Sequence, residues 1–171
     1  FTIERRNVVV TVTGQTSFDY DGNEHMIEGT TDLKAVDAIT GQVVEGFLPT
    51  VQVAYSSNGV VTPNMVNAGT YSIVLTIGEE YAPNYTLDDS RLSSLRVYPK
   101  PVSVTVDPAS KTHDVTDGAK VCELEYSVED SEIKGVTVTY RDSRGKTVSS
   151  ISPHGVYSYT ITSNDPNYVV R

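Results

Sequence analysis

The octapeptide FDYDGNEH, residues 18–25, gathers Asp19, Asp21, Glu24 and His25 around a single glycine. Three kinds of chemistry use such a set: an oxygen cage for calcium, a carboxylate–imidazole pair for acid–base work, and a turn capped by its own side chains. A calcium loop of the helix–loop–helix type takes ligands at positions 1, 3, 5, 7, 9 and 12, with glycine at 6. Counted from Asp19, the third and fifth places hold Asp21 and Asn23, but Glu24 stands where glycine must be and Thr30 where the bidentate Glu must be. An irregular cage of Asp19, Asp21 and Glu24 across a bend is the alternative. Acid–base catalysis needs an enclosure that separates two pKa values, and nothing near Asp21 and His25 supplies one. The favoured reading is a turn, with Asp21-Gly22 between two strands and Phe18 or Tyr20 packing inward. No metal site is expected.

The remaining reactive side chains are scattered. His113 and His154 each stand beside a turn signal and read as solvated. Cys122 alternates with Leu124 and Tyr126 and reads as a small buried hydrophobe. No GxSxG, HExxH, Walker or CxxC pattern occurs, so neither an enzyme nor a bound cofactor is expected. A self-formed Lys–Asn crosslink needs a buried lysine; Lys34, Lys120 and Lys134 are the candidates in strand-like surroundings. For ligand recognition the candidates are aromatic and apolar. Tyr71/Tyr157 and Tyr85/Tyr168 recur at matching places and read as framework, whereas Tyr20, Tyr55, Tyr81 and Tyr140 do not. Phe47 and Leu48, in the segment 30–50, join Tyr55 and Tyr20 as the binding candidates. They form a binding face if they are exposed and an added hairpin if they pack inward; the inward arrangement is favoured.

The composition is that of a β protein. Val and Thr are abundant, 11 Tyr are present, and 12 Gly with 8 Pro punctuate the Val/Thr runs. The net charge of −9 repels phosphate backbones, so no nucleic acid is expected as partner. No apolar run approaches the roughly 20 residues that span a bilayer. One cysteine allows no internal disulfide.

Three segments recur in order: NVVVTVTG (7–14) with PVSVTVDP (101–108), AGTYSIVLTI (68–77) with HGVYSYTITS (154–163), and APNYTL (82–87) with DPNYVV (165–170). The chain therefore reads as two related units, 1–99 and 100–171, joined near YPKP (98–101). Residues 1–6 align with the strand that precedes the second unit and read as the tail of such a strand. Alternation puts Val8, Val10 and Val12 on one face, Tyr71, Ile73 and Leu75 on another, and Tyr157, Tyr159 and Ile161 likewise in unit two. Further strands are expected at 50–56, 92–98, 103–107, 120–128 and 135–140, with turns at 40–41, 58–59 and 142–145. The fold expected is all-β: two tandem Ig-like antiparallel sandwiches.

The order Val/Thr strand, YDG (20–22), AGTY (68–71), PNY (83–85) and a strand into PKPV (99–102) resembles the MBG-type, or YDG-type, β repeats of bacterial cell-surface proteins. Unit two departs from it, with HDVTDGAK (113–120) where the aromatic-Asp-Gly turn should be. The resemblance implies an extracellular module of a cell-wall-associated or secreted protein, repeated in series and associated with adhesion. Its partners would be neighbouring repeat units and, in an adhesive role, a host glycan or protein. Three functions follow as expectations: a stalk or adhesion module, a ligand-binding module, and an accessory domain of a larger secreted enzyme.

Overall fold

The computed structural model describes residues 4–106, 125–149 and 155–171. The chain divides into two compact units, Phe1–Tyr98 and Pro99–Arg171. Among the described residues all regular structure is β apart from one 3₁₀ turn, Leu48–Thr50. No helix among them is long and apolar enough to cross a membrane.

Unit one contains β1 (Arg6–Val12), β2 (Ser17–Asp19), β3 (Leu33–Asp37), β4 (Val51–Ser57), β5 (Val60–Thr62), β6 (Gly69–Ile77), β7 (Tyr85–Asp88) and β8 (Leu95–Tyr98). They form two sheets, ordered β3-β1-β7 and β2-β8-β6-β4-β5. Alternating apolar residues give each sheet one inward face. From the first come Val8, Val10, Leu33 and Ala35; from the second Tyr55, Tyr71, Ile73, Leu75, Leu95 and Val97, all in one buried cluster. This is a β-sandwich core. Val9 departs from simple alternation and is buried as well, flanked in register by Val36 and Asp88.

The turn at 58–59 forms as its residues demand. Asn58 and Gly59 both have positive φ, 50° and 80°, and join Ser57 to its partner Val60 across a two-residue hairpin. FDYDGNEH bends differently from the expected link between paired strands. β2 pairs in parallel with β8, and His25 then bridges Met65, so no hairpin closes at Asp21-Gly22. Phe18 and Tyr20 both pack against the core.

Unit two contains β9 (Lys100–Val102), β10 (Val104–Val106), β11 (Tyr126–Val128), β12 (Val136–Arg141), β13 (Thr147–Val148), β14 (Ser158–Ser163) and β15 (Tyr168–Val170). Its sheets are β10-β11, β13-β12-β14 and β15-β9. The expected inward row Tyr157, Tyr159 and Ile161 is not sealed: Tyr159 is 47% exposed.

Pairing registers extend the internal repeat. β1 and β9 each pair in parallel with a late strand, Arg6 opposite Tyr85 and Lys100 opposite Tyr168. Ile73 and Tyr159 occupy matching places, and their antiparallel partners are Tyr55 and Tyr140. Tyr55 and Tyr140 are therefore equivalent, a repetition that the sequence reading passed over although each closes a Val-x-Val-x-Tyr run, 51–55 and 136–140. The additional residues of unit one lie between Asp37 and Tyr55. They bring Val43 against Val36 at the edge of β3 and drive Phe47 into the core at 1% exposure, its ring edge-on to Tyr85 at 5.1 Å.

Phe47→Ala should destabilise unit one by about 3–5 kcal/mol, the usual range for truncating a buried Phe. Denaturant unfolding followed in unit one checks this; an unchanged midpoint would show that the ring contributes no packing.

Candidate functional site

The two strongest polar constellations lie at the start of each unit. Arg6 Nε donates to Asp37 Oδ2 at 2.7 Å, tying the entry of β1 to the end of β3. Asp37 Oδ1 accepts the backbone N–H groups of Ile39 and Thr40 at 2.9 and 2.8 Å and the Thr40 hydroxyl at 3.1 Å. The Thr40 amide and then the Arg6 guanidinium hold the Asp37 carboxyl well below the usual carboxylate range. In unit two Lys100 Nζ donates to Asp130 Oδ2 at 2.7 Å, while Asp130 Oδ1 accepts the Glu132 amide at 2.9 Å. The Asp130 pKa is lowered in the same way, first by Lys100. The lysine also lies 6.0 Å from the Tyr168 ring centre, and the Tyr168 hydroxyl donates to Glu132 at 3.2 Å. Each clasp ties the first strand of its unit to a carboxylate about 30 residues further along the chain, on β3 in unit one and just after β11 in unit two.

The octapeptide forms a self-capped turn. Asp21 accepts the Asn23 backbone amide through Oδ1 at 2.9 Å and its side-chain amide through Oδ2 at 3.0 Å. These bonds lower the Asp21 pKa. His25 stacks on Phe18, ring centres 5.0 Å apart, and its buried Nε2 lies 3.1 Å from Asp21 Oδ1 without the alignment of a hydrogen bond. Both carboxylate oxygens of Asp21 are thus engaged locally. No group of three or more potential metal ligands converges among the described residues.

The binding candidates are distributed through unit one instead of forming a face. Phe47 and Tyr55 are 1% exposed, and the Tyr55 hydroxyl accepts the Ile27 amide at 2.7 Å. Desolvation raises the Tyr55 pKa. Leu48 and Tyr20 are partly buried against the same core. All four are occupied in holding the sandwich together. Lys34 and Lys134 are exposed, which removes the burial that crosslink chemistry needs; Lys120 lies outside the described residues, as do Cys122, His113 and His154.

The residues that sequence reasoning passed over are Arg6, Asp37, Lys100 and Asp130. A signal was present: a basic residue two places before each repeated Val strand, at Arg6 and Lys100. Reading it required the partner aspartates, about 30 residues distant in each unit. A second overlooked feature is Tyr98, 44% exposed with the Arg96 guanidinium 4.9 Å from its ring centre.

Comparison with protein-family models, curated proteins and solved structures finds no match for this chain.

The depressed Asp37 pKa sets the sign of a pH effect. Its contribution to stability is full above the ordinary Asp pKa, about 3.9, and is lost as pH falls toward the lower folded value. Asp37→Asn should therefore lower Tm at pH 7 and lower it much less at pH 2, as read by calorimetry. A deficit that is the same at both pH values would show that the charged form is not what the clasp uses.

Proposed function

We propose that the chain is a non-enzymatic repeat module of a bacterial surface protein: two tandem Ig-like sandwiches of the MBG type, serving as a stalk or adhesion segment. The doubled clasp supports this reading most directly. Arg6–Asp37 beside Tyr85 and Lys100–Asp130 beside Tyr168 place the polar investment of both units at the same structural point. A spacer unit uses equivalent positions in each copy, because what it must do is the same in each. The clasp also suits a unit held under tension. A pull on Arg6 runs along β1, whose backbone bonds reach β3 on one side and β7 on the other, so both rows are loaded together instead of opening one bond at a time.

A second reading, recognition of a host glycan or protein, is favoured by Tyr98 alone. Its exposed ring stands beside Asp19 in register, and Arg96 beside Ser17, giving an aromatic surface with polar neighbours on the outward side of the sheet.

Single-molecule stretching of the 171-residue chain, joined with glycan and protein screens, separates the two. The stalk reading expects discrete unfolding steps, one of which falls in force with Arg6→Ala, and no saturable ligand. Unfolding at uniformly low force, or a ligand whose binding is lost in Tyr98→Ala, would replace it with the receptor reading.

A further inference from the structure

The outer rim of the β3-β1-β7 sheet in unit one carries apolar side chains that the core does not use. Leu33 and Ala35 point inward, so alternation turns Lys34 and Val36 to the outer side of β3. Val43 bridges Val36 on that side and is 52% exposed. Val44 is buried, which leaves Val43 and Glu45 facing outward together. At one end of this patch stands Ile39, 92% exposed. Its bend is held by Asp37 Oδ1, which accepts the Ile39 and Thr40 amides, so an apolar side chain projects from a fixed support. At the other end Lys34 and Glu45 line one cleft of about 330 Å³ with Val43, Leu48 and Pro49. Among the described residues neither of these two charges enters an ion pair or a side-chain hydrogen bond.

The patch is self-complementary in charge and in shape. A two-fold axis laid along the strands, between β3 and the returning segment 42–45, exchanges its two sides. Lys34 of one copy then faces Glu45 of the other, and the reverse holds at the same interface. Val36 faces Val43 in the same reciprocal way, and Ile39 meets Ile39. Such reciprocity is what an isologous contact requires. The backbone of this rim is engaged already, because the Val44 amide donates to the Ala35 carbonyl and the Asp37 amide to the Gln42 carbonyl. What the rim offers a partner is side chains and not a further ladder.

We propose that this rim is the surface through which two copies of the chain dock as a symmetric dimer. The patch is small, below the area of a standard stable interface, so the dimer is weak, with Kd on the order of 0.1 mM. Ile39, Val36 and Val43 supply the apolar area, and the two Lys34–Glu45 pairs select a copy of the same chain over other acidic or basic surfaces. Exposed charges make the association sensitive to salt. The inference goes beyond the stalk reading and does not rest on it: the oligomeric state can fail while the unfolding forces stand, and the reverse.

Sedimentation equilibrium of the 171-residue chain, from about 10 μM to about 1 mM at low salt, tests it. A reversible monomer–dimer equilibrium is expected. Lys34→Glu alone and Glu45→Lys alone should each weaken it about tenfold or more, since each sets like charges against one another twice. An equimolar mixture of the two variants should associate again, because every position then meets its opposite charge. Ile39→Ser should weaken the dimer as well, and none of the three exposed substitutions should shift Tm at low protein concentration. A chain that stays monomeric throughout would overturn the proposal. So would a dimer that all three substitutions leave intact, which would place the contact on another surface, or a mixture that associates no better than either variant alone.

Discussion

The carboxyl of Asp37 is taken almost wholly out of water, at 8% residue exposure, and the architecture of unit one is arranged around keeping it charged. A buried carboxylate without partners is too costly to persist. Arg6 and the amides of Ile39 and Thr40 satisfy it, and in doing so fix three things together: where β1 begins, where β3 ends, and how the chain turns away afterwards. Because Arg6 is also opposite Tyr85, the same contact sets the register of β1 against β7. A slip of one residue would turn the whole Val row of β1 outward, so one polar contact protects the register of the apolar face.

Unit two repeats this frame with different filling. Lys100 replaces Arg6, a point charge in place of a planar fork, and it gains the face of Tyr168. Tyr85 leans on Phe47, whereas Tyr168 donates its hydroxyl to Glu132. The segment between Asp37 and Tyr55 accounts for the contrast. It supplies unit one with Val44 and Phe47 in the core, and unit two has no counterpart long enough to do so. Stability in the two copies is thus distributed differently over one pattern.

Much of the fold was legible in the residues. Alternation located β1, β4, β6 and β12, and Asn58-Gly59 gave its hairpin because few residues tolerate two positive φ values in succession. The parallel pairings of β1 with β7 and of β9 with β15 were not legible, since strand pairing across the length of a unit leaves no local trace. The aromatic candidates show the same limit. Phe47 and Tyr55 in sequence are large side chains equally fit for a surface or a core; only the packing of the two sheets face to face decides. The glycine of FDYDGNEH signals a turn, yet the geometry of that turn depends on β8 and Met65, both distant in the chain.

How the edges of unit one are treated follows from these same pairings. The edge of β3 is shielded where Val43 bridges Val36 and Phe47 folds inward behind it. β2 is only three residues long, and β5, equally short, runs into Pro63, which has no amide to offer a further strand. Val60 and Val61 on β5 are 64% and 60% exposed, apolar enough to attract a partner, but the ladder there can extend by little more than one rung. β8 is treated in the opposite way, placed between β2 and β6 with Leu95 and Val97 fully buried. Lateral pairing is therefore discouraged at the rim, and the order that strand addition brings is concentrated in β8, the strand that leads directly from one unit into the next.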